Sequence, residues 1–257
     1  MRRTKGSKFA RVTAAGLLLM AAVVASAAQT LAPLRPPAAP LVTHDPYFSV
    51  WSMSDRLADD RTKHWTGAPH GMVGMARVDG RAYRLMGQSH NPLPEPMPQT
   101  GLEVTPTRTV YRFEAGGVAL ALTFMSPLLP EDLEVMSRPV TYLMWEARAA
   151  DGRPHQVSVY FDCTAELAVN TADQRVTWTR ARVGGLRVLS VGTQQQPVLE
   201  KFGDDLRIDW GHLYLAAPDA PGGSEVIAWN QAARRSFAET GALPDADDLQ
   251  RPRAAKD

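Results

Sequence analysis

The stretch TVYRFEAGGVALALTF, residues 109–124, decides the fold. Thr109, Tyr111 and Phe113 alternate with Val110, Arg112 and Glu114. The chain turns at Ala115-Gly116-Gly117, and Val118, Leu120, Leu122 and Phe124 then fall on one face. A period of two sends successive side chains to opposite faces of a strand, so this pattern predicts a hairpin with one face in a core. Upstream, two apolar runs flank Asp79-Gly80, a pair suited to the positive φ angles of a tight type I′ turn. Downstream, residues 140–149 and 156–163 flank Asp151-Gly152 and read as a third hairpin. Further strands are predicted over residues 166–169, 175–180, 186–192, 206–210 and 212–217, and the proline-dense residues 91–98 read as a loop. One short helix is predicted near the C-terminus, with Asn230 as N-cap, Ala233 and Phe237 along it and Gly241 as its stop. Residues 243–257 show no apolar pattern and no closing strand. Short strands separated by turns describe an all-β, antiparallel β-sandwich.

The composition agrees with a packed domain. The chain has 257 residues, 44% hydrophobic and 21% charged, which supports a large core and excludes a wholly disordered protein. Net charge is +1, but Arg2, Arg3, Lys5, Lys8 and Arg11 are all basic and no acid lies within residues 1–27. The remaining body is therefore mildly acidic, which argues against nucleic acid as a partner. The same basic segment precedes an apolar run over residues 12–25 and the small residues Ala25-Ser26-Ala27, the pattern of a cleaved export signal. The expected location is secreted or periplasmic, with no membrane contact after cleavage; an uncleaved anchor is the alternative reading. Cys163 is the single cysteine, so no internal disulfide is possible, and its alternation with Val159 and Phe161 makes it a core residue.

Signatures of a nucleotide loop, a nucleophile elbow or a zinc helix are absent, so no cofactor and no metal site are predicted. Acidic clusters at Glu131-Asp132, Asp204-Asp205 with Asp209, and Asp247-Asp248 offer oxygen ligands but lack the spacing of a calcium loop, and they read as surface turns. Residues 44–70 stand out. They place aromatic rings among carboxylates and imidazoles, a mixture suited to a small polar substrate such as an amino acid or a sugar. His44, Asp45, Trp51, His64 and Trp65 are the candidate substrate-binding residues. The competing reading makes the same segment a buried first strand and a solvated turn. Trp145, Trp178 and Trp210 read as core rather than as stacking platforms.

Several long strings carry a resemblance: PLVTHDPYFSVWSMSDRLADDRTKHWTGAP at residues 40–69, EVTPTRTVYRFEAGGVALALTFMSPLLPEDLE at 103–134, and SRPVTYLMWE at 137–146. ELAVN at 166–170 and GDDLRIDWGHLYLA at 203–216 follow in order. Together they resemble the N-terminal region of the glutaminase A family. The resemblance implies a supersandwich-like β region followed by a helical toroid, with hydrolysis of L-glutamine to L-glutamate and ammonia belonging to the whole protein. It divides the chain into a signal (1–27), an Ala/Pro-rich lead-in (28–40), an N-terminal segment (41–90) and a β-sandwich (91–257). The helical toroid is not among the matched strings, so the sandwich is expected to be incomplete at its C-terminus, to act as scaffold for that domain, and to be inactive alone. No catalytic residue carries over. A carbohydrate-binding or glycoside-hydrolase accessory module is the alternative function.

Overall fold

The computed structural model describes residues 36–89 and 91–256. The export signal predicted at residues 1–27 lies outside them. In chain order the strands are β1 (Ala39–Asp45), β2 (Phe48–Ser52), β3 (Lys63–His64), β4 (Met72–Val78), β5 (Arg81–Met86), β6 (Gln99–Thr105), β7 (Arg108–Ala115), β8 (Val118–Met125) and β9 (Tyr142–Ala149). They continue with β10 (Val157–Cys163), β11 (Arg175–Val183), β12 (Leu186–Thr193), β13 (Leu213–Pro218) and β14 (Arg253–Ala254). Helices are α1 (Leu133–Met136) and α2 (Asn230–Thr240). The last two residues of the predicted lead-in, Ala39 and Pro40, are thus strand.

Four antiparallel sheets result, ordered β1-β2-β3, β10-β4-β5, β6-β7-β8-β9 and β13-β12-β11-β14. The first three share one core. Leu41 and Val50, Met72 and Leu85, and Tyr111, Phe113, Leu122 and Phe124 meet in a single apolar cluster, with each fully buried side chain of this size contributing about 1.5–3 kcal/mol. The two hairpins at the centre of the sequence pattern form as expected. Asp79 and Gly80 take φ of 49° and 85°, and Gly116 and Gly117 take 59° and 78°, the left-handed pairs that let a two-residue turn follow strand twist.

β4 is buried on both sides. Met72, Ala76 and Val78 face the shared core, while Val73 and Met75 join Tyr160, Ala233 and Phe237 beneath α2. Arg234 anchors that helix through two bonds to Asp162, at 2.7 and 2.6 Å, and Asp162 also accepts from the Tyr160 hydroxyl at 2.8 Å. Arg77, on β4, donates to the carbonyl of Ala238 in the last turn, where the helix dipole favours a cation. Gly241, at φ 81°, ends α2 as expected. Its start differs by one residue: Asn230 is already helical and Trp229 is the cap, without a side-chain bond. Cys163 is half-buried, and burial pushes its thiol up to about 12, so it is an inert packing residue.

Five local expectations need correction. β9 and β10 do not form a hairpin: β9 pairs with β8, whereas β10 crosses to β4 with Val157 opposite Val78. The corner between them is fixed by polar groups. His155 bonds Asp79 at 2.6 Å and Asp151 at 2.9 Å, and the Gln156 amide donates to Asp79, which delivers the next residues to the β4 ladder. Residues 165–168 form a 3-10 turn rather than a strand, with Leu167 and Ala168 buried. Residues 206–210 form no ladder, because the amides of Arg207 and Ile208 donate to the Asn170 side chain and the Tyr47 carbonyl. Finally, Arg253 and Ala254 do pair with β11, closing that sheet with a two-residue strand. Asp209 is buried and paired with Lys201, not part of a surface turn.

Candidate functional site

The five residues singled out in the sequence divide into two groups. Asp45, His64 and Trp65 gather around the turn joining β1 to β2. The Asp45 carboxylate accepts from the amides of Tyr47 and Phe48 at 2.7 and 3.0 Å, shaping the turn. That turn presents the Pro46 carbonyl to His64 Nε2 at 3.0 Å and to Trp65 Nε1 at 2.7 Å. His64 is fully buried. Its Nδ1 meets the Thr66 hydroxyl at 3.0 Å, so both ring nitrogens are committed to the chain itself. Burial lowers its pKa despite the carbonyl partner. Trp65 is half-exposed at the rim.

His44 and Trp51 make their contacts elsewhere. The His44 ring stacks on Phe48 at 5.8 Å and reaches the Thr141 hydroxyl at 3.3 Å, with its pKa lowered by burial. Trp51 donates to Ser49 at 2.5 Å, along its own strand. Both are structural parts of the β1–β2 pair.

A small cavity of about 50 Å³ opens beside the first group. His70, Glu166, Asn170 and Arg207 line it, with Pro69 and Val169 among its apolar walls. His70 is 1% exposed, and neither ring nitrogen has a partner among the described residues. Its ring lies 5.2 Å from that of His64. Burial, then the neighbouring His64 and Arg207, push its pKa down to about 3, so it is a neutral imidazole with one donor and one acceptor unused. Arg207 is held by the Asn170 carbonyl through Nε at 2.9 Å and by Thr66 through Nη1 at 3.0 Å. The same Nη1 pairs with Asp205, whose carboxyl is held low chiefly by that bond. Glu166 uses Oε2 for Arg61 and Thr164, both at 2.8 Å.

The residues around the cavity thus include a guanidinium and a carboxylate, each already paired, with no hydrogen bond to Arg207 Nη2 or Glu166 Oε1 among the described residues. The five expected residues do not line it. Residues 44–70 end at His70, so the segment borders the cavity; the other three polar walls come from positions 166, 170 and 207. The available signal was their placement in two of the strings that carry the glutaminase A resemblance. Among the described residues, no cluster of three or more His, Cys, Asp or Glu is placed to hold a metal ion.

Comparison with known proteins adds to this picture. A family model described as a domain of unknown function, DUF4964, matches residues 13–95. Glutaminase A of Aspergillus oryzae is 31% identical over 233 residues, covering 87% of this chain and 33% of that protein. The chain therefore spans about a third of the length of the curated relative it matches, and is its homologue over that third. A second model, also described as a domain of unknown function, matches residues 107–257, more than half of the chain, which therefore belongs to the DUF5127 family.

Proposed function

We propose that this chain is the β-scaffold of an exported, glutaminase A-type amide hydrolase, seating a helical domain that brings the groups needed to turn L-glutamine into L-glutamate and ammonia. The observation that carries this is the exposed apolar run after β8. Leu128, Leu129, Leu133, Met136, Val140 and Tyr142 are all exposed, although Thr141 in the same run is tied to His44 of β1 and to Ser126. Large apolar side chains held in a fixed frame but left in water mark a surface that another body covers. The imidazoles of β1 and β3 fit a supporting role, since burial drives His44 and His64 toward the neutral form and both His64 nitrogens are occupied. The purified chain incubated with L-glutamine is expected to release no ammonia above a blank. Turnover by the chain alone overturns the scaffold reading.

One observation favours a second reading, a carbohydrate-binding module. A cavity of about 260 Å³ on the β11 side is lined by Trp178, Arg180, Asp247 and Arg251, an aromatic surface flanked by charged hydrogen-bonding groups that suits a sugar. The indole itself donates to the Asp248 carbonyl at 2.9 Å, so the ring is fixed. Calorimetric heat with glycans, lost in Trp178→Ala and absent with L-glutamine, selects this module instead.

A further inference from the structure

The sheet built from β11, β12 and β13 has two unlike faces. Side chains paired across an antiparallel ladder share a face, so the register sorts them. One face carries Arg180, Arg182 and Arg187, which pair with Asp219, Glu225 and Asp247 of the segment after β13. At its base Trp178 and Val191 pack on Val169, Val176 and Ala255. The opposite face holds no charged residue over three successive cross-strand rows. The first row is Thr179, Ser190 and Tyr214; the second is Ala181, Val188 and Ala216; the third is Val183, Leu186 and Pro218. A bond of 2.8 Å between the Thr179 and Ser190 hydroxyls fits their common side. Val183 is 63% exposed, Leu186 40% and Tyr214 64%, so this face stands in water. Neither ladder has a register shift, whereas β1–β2, β4–β5 and β6–β7 each do, and the rows therefore form an unbroken surface. A solvated sheet face ordinarily carries polar and charged side chains, and a continuous apolar one marks contact with another body.

We infer that this face packs against the same face of a second copy of the chain, about a two-fold axis running along β12. Three properties select a second copy. The first is the absence of charge: a self-complementary contact sets a patch against itself, and no like charges meet here. The second is the distribution of size. An axis along β12 lays β13 of one copy over β11 of the other, row upon row. Tyr214, the bulkiest side chain of the face, then stands over the small Thr179 of the partner, and the partner returns the same contact. Ala216 lies over Ala181, while Leu186 and Val188 sit on the axis and meet their own equivalents. The third property is area. Three strands about 4.8 Å apart, with a rise of about 3.4 Å per residue, span roughly 350 Å² over these rows. Side-chain relief raises that to about 500 Å² per copy and about 1,000 Å² in total, the lower bound of a specific interface. The dimer is therefore weak and reversible, with the two sheets packed about 10 Å apart.

Sedimentation velocity of the full chain across a concentration series, from about 1 to about 500 µM, is the test. A monomer–dimer equilibrium with a Kd on the order of 50 µM is expected. Leu186→Asp, at an exposed position, sets two carboxylates against each other on the axis and is expected to leave monomer throughout. Tyr214→Ala, which empties the contact over Thr179, is expected to weaken the dimer by roughly tenfold and covers the case in which Leu186→Asp does not fold. Leu186→Cys is expected to cross-link to its own equivalent under a mild oxidant, while Cys163, with its thiol pushed up to about 12, stays unreactive. The dimer is expected to persist in Leu133→Asp, a charge placed in the separate apolar run after β8. A monomer at every concentration, the outcome if a different body covers this face, overturns the proposal. So does a dimer that survives Leu186→Asp, dissolves in Leu133→Asp or forms no cross-link in Leu186→Cys.

Discussion

Two histidines in this molecule face opposite electrostatic problems. His70 sits beside the small cavity with no partner for either nitrogen among the described residues, and burial keeps it neutral with a pKa of about 3. His155 sits at the corner before β10 with a carboxylate on each nitrogen, and Asp151, then Asp79, raise its pKa. The first ring loses charge because burial penalises the proton and His64 and Arg207 oppose it; the second keeps charge because two anions favour it. What decides the behaviour is the surroundings, which neither residue's local sequence discloses. One consequence is that the two sites respond to pH with opposite sign.

The largest expected effect is acid sensitivity through His70. Its folded pKa lies below the unfolded value of 6.5, so the unfolded chain takes up the proton first as pH falls. Stability is then lost from about pH 6.5 downward, by about 2 kcal/mol at pH 5. Denaturant melts at the two pH values measure this, and His70→Leu, close in volume and without a titrating group, is expected to remove most of the slope. A slope unchanged in that variant breaks the contrast. A smaller effect is expected at the opposite pole. In Gly117→Ala the new Cβ meets the Asp151 carboxylate at 2.6 Å and His155 at 2.8 Å, at a residue with φ of 78°. The turn strain and the displaced clamp together are expected to cost about 1–2 kcal/mol in a thermal or denaturant melt. The smallest effect belongs to the clamp charge itself. Because the folded pKa of His155 is raised, its contribution is complete below about pH 6.5 and is lost as pH rises through the folded value. His155→Gln is expected to lower the melting temperature slightly at about pH 6 and to leave it unchanged at about pH 9. An equal loss at both pH values makes the clamp a packing feature instead.

The sequence disclosed the hairpins best where the turn chemistry left no choice. Asp79-Gly80 and Gly116-Gly117 admit left-handed backbone, and the strands they join match the alternating pattern to within a residue. Asp151-Gly152 carries a similar signal, yet the strands around it separate. Alternation reports that a strand has two faces and says nothing of its neighbour, and the bonds of His155 and Gln156 to Asp79 lie more than seventy residues away in sequence. The candidate site was legible as a region only. Residues 44–70 do form a tight polar structure, but Asp45 and His64 spend their hydrogen bonds on the turn at Pro46. Glu166, Asn170 and Arg207 are ordinary polar residues in isolation. Arg207 becomes a cavity wall because Asn170 captures both its amide and its Nε, a long-range contact that no spacing rule encodes.

The double burial of β4 has a consequence for how the molecule opens. This strand is flanked by β10 and β5 and sends alternate side chains into two separate apolar clusters. Releasing α2 exposes one cluster and prising the sheets apart exposes the other, so neither event alone frees its amides. Deuterium should therefore enter β4 only when the whole body comes undone, while the outer strands β9 and β13, each paired along one edge alone, exchange through local fraying.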